Sequence, residues 1–209
     1  ISNREQWVFD AGRREMGRSG KTWPAGGWPL ARATAASSCL PGVFTTMQLE
    51  LDGESLELTD GGIYDNLGLE PIWRDHAVVL VSDAAPSFTP HPAMAKGVWD
   101  NLRYVVSLLE QATDVRKRWL IANFILGELQ GAYWGIASFP SSYGAAAGYP
   151  DKLIAEVISQ VRIDLDVFSD AEIAVLENHG YFMADVALAR HASGLLDSPP
   201  APSPPHPDW

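Results

Sequence analysis

Hydrophobic and polar positions change their period several times along the 209 residues, and each change predicts an element. Residues 1–9 (ISNREQWVF) read as a strand. Residues 10–28 set Gly12, Gly17, Gly20, Pro24, Gly26 and Gly27 among arginines and read as a long loop. Pro29 suits the first position of a helix. The small and apolar run from Leu30 to Leu40 continues that helix until Pro41-Gly42 stops it. Met47 to Leu51 alternates, Asp52-Gly53 is a hairpin turn signal, and Ser55 to Thr59 predicts the returning strand. Asp60-Gly61-Gly62 predicts a sharp turn, with a short helix following around Leu67 to Trp73.

Ala77 to Ser82 (AVVLVS) is a continuous apolar run rich in β-branched residues, the pattern of a buried parallel strand. From Ala93 to Leu126 the period is helical, with Val98, Leu102, Val105, Leu109, Ala112 and Trp119 near one face. Gly127 and Gly131 interrupt it, and Tyr133 to Phe139 predicts a last strand. Asp151 is placed to cap a helix reaching Val161, and Ser169 or Asp170 to cap another reaching His191, with Gly180 a point of fracture. Alternating strands and helices predict an α/β fold with a mainly parallel central sheet. The domain is expected over 1–197. Residues 198–209 hold six of the fifteen prolines and predict a disordered tail.

Composition narrows the function. The chain is 46% hydrophobic and 20% charged, enough to bury a core, and its length suits one or two domains. A formal net charge of -11 argues against a general nucleic-acid binder. The charge is uneven: residues 1–35 carry six basic and three acidic side chains, and residues 151–197 three basic and nine acidic. A solvated acidic face is the plain reading of this, and a positive N-terminal surface meeting anionic lipid the sharper one. Cys39 is the only cysteine, which removes any internal disulfide or cysteine-based zinc site. No apolar run approaches the roughly 18 residues that span a bilayer. The expectation is a soluble protein, cytoplasmic or peripherally associated with a membrane.

The chemistry concentrates between Ala31 and Asn66. An aspartate at the end of a strand, followed by two glycines, is unshielded by neighbouring side chains, and such strand ends are where α/β sheets place their sites. For an isolated Asp-Gly-Gly a simple turn is the plainer reading. The surrounding motifs favour the site. Ala35-Ala36-Ser37-Ser38-Cys39-Leu40-Pro41-Gly42-Val43-Phe44, then a hairpin, then Asp60-Gly61-Gly62 and Asn66-Leu67, resemble the patatin-like phospholipase family in order and spacing over about residues 28–85. The resemblance implies a three-layer patatin-like fold, here incomplete at its N-terminus. It also implies a Ser-Asp dyad that hydrolyses fatty-acyl esters or phospholipids without a cofactor or metal. Asp60 would be the base partner, with Gly61 and Gly62 forming its turn, and the family motif gives Asp65 no catalytic role.

The family's nucleophile elbow, Gly-x-Ser-x-Gly, is absent. Its nearest string, Gly17-Arg18-Ser19-Gly20-Lys21, has lysine in place of the last glycine. Because the chain opens at Ile1 in patterned sequence, the expectation is a fragment or processed product that meets an N-terminal segment of the same domain and is inactive alone. The other hypothesis is a non-catalytic interaction module that keeps the scaffold.

Other signals are weaker. Gly20-Lys21-Thr22 lacks the upstream glycine and the following helix of a phosphate loop. Asp164, Asp166 and Asp170 lack a calcium loop's glycine and glutamate offsets. His76, His91, His179, His191 and His206 show no metal-ligand spacing. Cys39 reads as a packed thiol. Trp7, Trp23, Trp28 and Trp134 fit either a lipid-facing rim or core packing, the second being the plainer.

Overall fold

The computed structural model describes residues 5–18, 20–85, 97, 113–162, 166–196 and 203–209. The chain divides into two compact units. The described part of the first is 5–75 without residue 19, together with 97 and 113–115; that of the second is 76–85 with the described residues from 116 onward.

In the first unit β1 (Val8–Asp10), β2 (Glu15–Arg18) and β3 (Lys21–Pro24) form an antiparallel sheet. This replaces the loop predicted over 10–28. Each of β2 and β3 turns one bulky apolar side chain inward, Met16 opposite Trp23, and both are buried. One such residue per strand is too few to show as alternation. Trp23 also stacks on Trp7 at 5.5 Å, so these two tryptophans are core, not rim.

Helix α1 (Leu30–Ser37) follows, with Pro29 at its N-cap, and then the predicted hairpin of β4 (Met47–Leu51) and β5 (Glu54–Leu58). Its tip needs positive φ at both central residues, and Asp52 (50°) and Gly53 (81°) supply it. Leu49, Leu56 and Leu58 point from the hairpin into one core with Trp7, Met16, Trp23 and Ala36 of α1. Burying each leucine contributes about 1.5–3 kcal/mol. The helix predicted over 67–73 is displaced: α2 spans Gly62–Asp65, and turns follow it.

In the second unit β6 (Val78–Asp83) pairs in parallel with β7 (Gln130–Gly135). β6 buries Val79, Val81 and Asp83 but leaves Leu80 45% exposed, so only one face of the apolar run is covered. The close approach of β7 requires glycine, because a Cβ on Gly131 would lie 1.8 Å from the Val79 carbonyl oxygen. That packing moves the last strand upstream of the predicted 133–139. Helix α3 is described over 113–126; the rest of the predicted 93–126 helix lies outside the described residues, apart from residue 97. α4 (Asp151–Glu156) stops short of Val161 and gives way to a 3₁₀ turn at Ile158–Gln160.

Helix α5 (Asp170–His191) runs unbroken through Gly180. Ser169 caps it by accepting from the Glu172 N–H, while Glu172 accepts from the Ser169 N–H. Residues 203–209, expected to be disordered, are docked on it. Buried Asn178 donates to the His206 carbonyl (2.7 Å) and accepts from its N–H (2.9 Å). Residues 198–202 lie outside the described residues.

The fold is thus mixed α/β with small sheets. Among the described strands β6 and β7 make the one parallel pairing and the other three pairings are antiparallel, in place of the mainly parallel sheet that alternation predicts. Among the described residues no helix is long and apolar enough to cross a membrane.

Candidate functional site

Asp60 lies two residues beyond the end of β5, in the turn that leads into α2. A helix end leaves carbonyls without partners, and just past α1 the Cys39 carbonyl is such a group. It accepts from the Asp60 N–H (3.1 Å) and from Thr59 Oγ1 (2.8 Å). The alanine- and serine-rich helix and the Asp-Gly-Gly turn are therefore joined directly. On the other side, the Gly62 N–H donates to Asp60 Oδ1 at 2.7 Å. Asp60 Oδ2 has no hydrogen-bond partner among the described residues, and the side chain is half-buried.

Both glycines are shaped by close contact. A Cβ on Gly61 would lie 3.3 Å from Ser37 Oγ of α1. One on Gly62 would lie 2.9 Å from Asn66 Oδ1 and 3.0 Å from Asp60 Oδ1. The sequence candidates Asp60, Gly61, Gly62 and Asn66 thus meet in one turn against the end of α1. One carboxylate oxygen is fixed by a backbone N–H, and the other is open to receive a proton. Cys39 is a packed thiol, its Sγ donating to the Ala35 carbonyl (3.2 Å).

The remaining candidates lie elsewhere. Lys21 and Thr22 sit in β3, and Lys21 pairs with Glu54, whose carboxyl its hydrogen bond holds below the usual range. Asp166 pairs with Arg162, Asp170 opens α5, and Asp164 is outside the described residues. His191 packs edge-on to Tyr143, His206 bonds Glu177, and His91 is outside the described residues. Trp28 stacks on Phe9 at 5.6 Å.

Two acidic residues carry more structure than their sequence context suggested. Asp65 is 6% exposed and accepts from three backbone N–H groups, those of Leu67 (3.2 Å), Leu69 (2.8 Å) and Glu70 (3.1 Å). Its three bonds hold the turns that stand where a helix is predicted over 67–73. Asp83 ends β6 and is 5% exposed. Its Oδ2 pairs with Lys117 Nζ (2.6 Å) and accepts from Tyr133 OH (2.7 Å), and its Oδ1 accepts from the Ala85 N–H (3.0 Å). Burial pushes this carboxyl up, but the bonds from Lys117, Tyr133 and Ala85 outweigh it and hold it below the usual carboxylate range. An acid closing an apolar strand was the available signal for it.

Comparisons with protein-family models, with curated proteins and with solved structures found no match.

Proposed function

We propose that this chain carries the aspartate half of a Ser-Asp dyad in a patatin-like lipid acyl hydrolase. The observation that supports this reading is the joining of the two motifs. The Cys39 carbonyl at the end of α1 holds Thr59 and Asp60, so the carboxylate is fixed relative to the small-residue helix, with Oδ2 left open. The three-layer fold belongs to the same proposal, as does a substrate among fatty-acyl esters and phospholipids met at a membrane surface.

In the proposed reaction Asp60 Oδ2 takes the proton of a serine hydroxyl as that oxygen bonds to the acyl carbon. The tetrahedral intermediate expels the alcohol, which leaves with the proton. Water then attacks the acyl-enzyme, passing a proton through Asp60 back to the serine. These 209 residues contain no Gly-x-Ser-x-Gly elbow, so a segment outside them would supply the serine. Leu30 at the start of α1, and Val43 and Phe44 in the turns after it, are exposed apolar residues that such a segment would cover.

The test is esterase activity on a short-chain nitrophenyl ester. The chain alone is expected to be inactive, and a serine-elbow segment, fused or added in trans, to restore turnover. In the restored enzyme Asp60→Asn should lower kcat on the order of 10²–10⁴-fold, the cost of losing a positioned base. Glu50→Gln, on the exposed face of β4, changes charge equally and should leave kcat within about twofold. Equal losses, or activity from the isolated chain, would overturn the assignment. No restoration by any elbow segment would favour the interaction module.

A further inference from the structure

We infer that the face formed by Tyr149 and the middle of α5 is a binding site for a proline-rich segment of another protein, and that the chain's own residues 203–209 fill it as a tethered competitor. The way Ser203-Pro204-Pro205-His206-Pro207-Asp208-Trp209 is seated carries this. None of these residues is in a helix or strand, and the prolines have no N–H to give. The Ser203 N–H donates to Tyr181 Oη (3.1 Å), and the His206 N–H to Asn178 Oδ1 (2.9 Å). Asn178 Nδ2 donates to the His206 carbonyl (2.7 Å) and to Tyr149 Oη (3.2 Å), which helps to fix the amide. His206 Nε2 donates to the Glu177 carboxyl at 2.6 Å. The inference does not rest on the acyl-hydrolase reading.

These contacts decide the class of ligand. Asn178 reads both main-chain groups of one residue and no side chain, so it selects a backbone conformation. Pro205 and Pro207 on either side restrict that conformation before binding, so that less freedom is lost. Tyr149, Phe182 and Tyr181 form a run of edge-on rings, with centroids 6.1 and 5.9 Å apart. Proline-rich segments dock on aromatic surfaces of this kind. Pro204 and His206 are half-buried while Ser203, Pro205 and Pro207 are exposed, so alternate residues are covered. Glu177 adds one requirement, a donor on the side chain between the prolines. The ligand is therefore an extended Pro-Pro-x-Pro segment with a hydrogen-bond donor at x. A second copy of this chain would bring the same segment and gain no contact that the tethered one lacks. A segment of another protein, with further contacts outside this face, can displace the tail.

The experiment uses the full chain and a fluorescein-labelled peptide of residues 203–209, followed by anisotropy. In the His206→Pro chain the tail has lost the N–H that Asn178 receives, and the face is open. That chain should bind the peptide with a Kd of about 100 µM or below. The parent should bind it about tenfold more weakly, because its tethered tail competes at a millimolar effective concentration. The same His206→Pro change made in the peptide should weaken binding to the open chain at least about tenfold, since it removes one hydrogen bond and leaves Asn178 Oδ1 without its donor. Asn178→Leu in the open chain, nearly isosteric and favourable to helix, should abolish binding. Because the change in the peptide leaves the chain untouched, the test stands even if Asn178→Leu does not fold. Absence of binding to the open chain, equal affinity of parent and open chain, a peptide indifferent to His206→Pro, or binding that survives Asn178→Leu would each overturn the inference. So would a parent that sediments as a dimer beside a monomeric His206→Pro chain, which would give the face to a second copy.

Discussion

Asp65→Asn is a sensitive probe of how the turn after Asp60 is held, because one carboxylate organises three amides. An amide offers one oxygen. If that oxygen takes the place of Oδ2, it keeps the bonds to Leu69 and Glu70, while an NH₂ group faces the Leu67 N–H that Oδ1 received at 3.2 Å. The opposite rotamer gives up two bonds and is worse. Hydrogen bonds to a charged acceptor contribute about 1.5–3 kcal/mol each, and a buried donor left unpaired costs about 1–3 kcal/mol. The cheaper rotamer therefore predicts a loss of about 2 kcal/mol. Asp65→Ala, which removes all three acceptors, should lose about 3–5 kcal/mol. At about 2–4 °C per kcal/mol for a chain of this size, Asn lowers Tm by about 4–8 °C. Urea titration followed by circular dichroism measures the change, with an unaltered m-value marking a change of stability alone. In the Asn variant, faster exchange of the Leu67 amide gives a local readout. If both variants stay within about 0.5 kcal/mol of the parent, or Ala is no worse than Asn, the bonding scheme is wrong.

Gly62→Ala pushes a methyl against Asp60 Oδ1 and Asn66 Oδ1; in the serine-restored enzyme kcat should fall at least about tenfold with little change in Tm, since small misplacements of a catalytic group are costly, and an unchanged kcat would count against the fixed carboxylate. Asp83→Asn leaves Lys117 facing an amide in a buried setting and should cost about 2–4 kcal/mol by urea denaturation. Because the folded pKa of Asp83 lies below its unfolded value, its contribution is present above about pH 4 and is lost as pH falls through the folded pKa; the gap between parent and variant should shrink in acid, and a gap constant from about pH 7 to 3 would refute the pairing. Ser169→Ala removes the cap of α5 and should cost about 1 kcal/mol, with no loss meaning that the cap is idle.

Much of this was legible in the chain, and the physical reasons for the rest differ from place to place. The hairpin of β4 and β5 could be read because alternation and Asp52-Gly53 agree. The start of α5 could be read because a cap is a local signal, and β6 because its β-branched run has few alternatives. β2 and β3 were hidden because each has a single large apolar side chain facing in. β7 was misplaced because Gly131 and Ala132, which let it approach β6, carry no hydrophobic signal. The turns after α2 are held by backbone bonds to the Asp65 side chain, which periodicity does not register. The Asp60 turn was marked by its motif. Its tie to Cys39 is a contact between residues twenty apart and needed the fold, and so did the docking of residues 203–209 on Asn178.

The pairing of β4 with β5 also works as a form of error correction. Leu49 opposes Leu56 and Met47 opposes Leu58, and β5 runs from this pairing straight into Asp60. A slip of one residue would turn Leu56 and Leu58 toward water, at a cost of about 3–6 kcal/mol. The address of the acid is therefore written in leucines that take no part in its chemistry. Gln48, Glu50 and Glu57 on the outward face can drift and recast the surface, while Asp60 stays where it is.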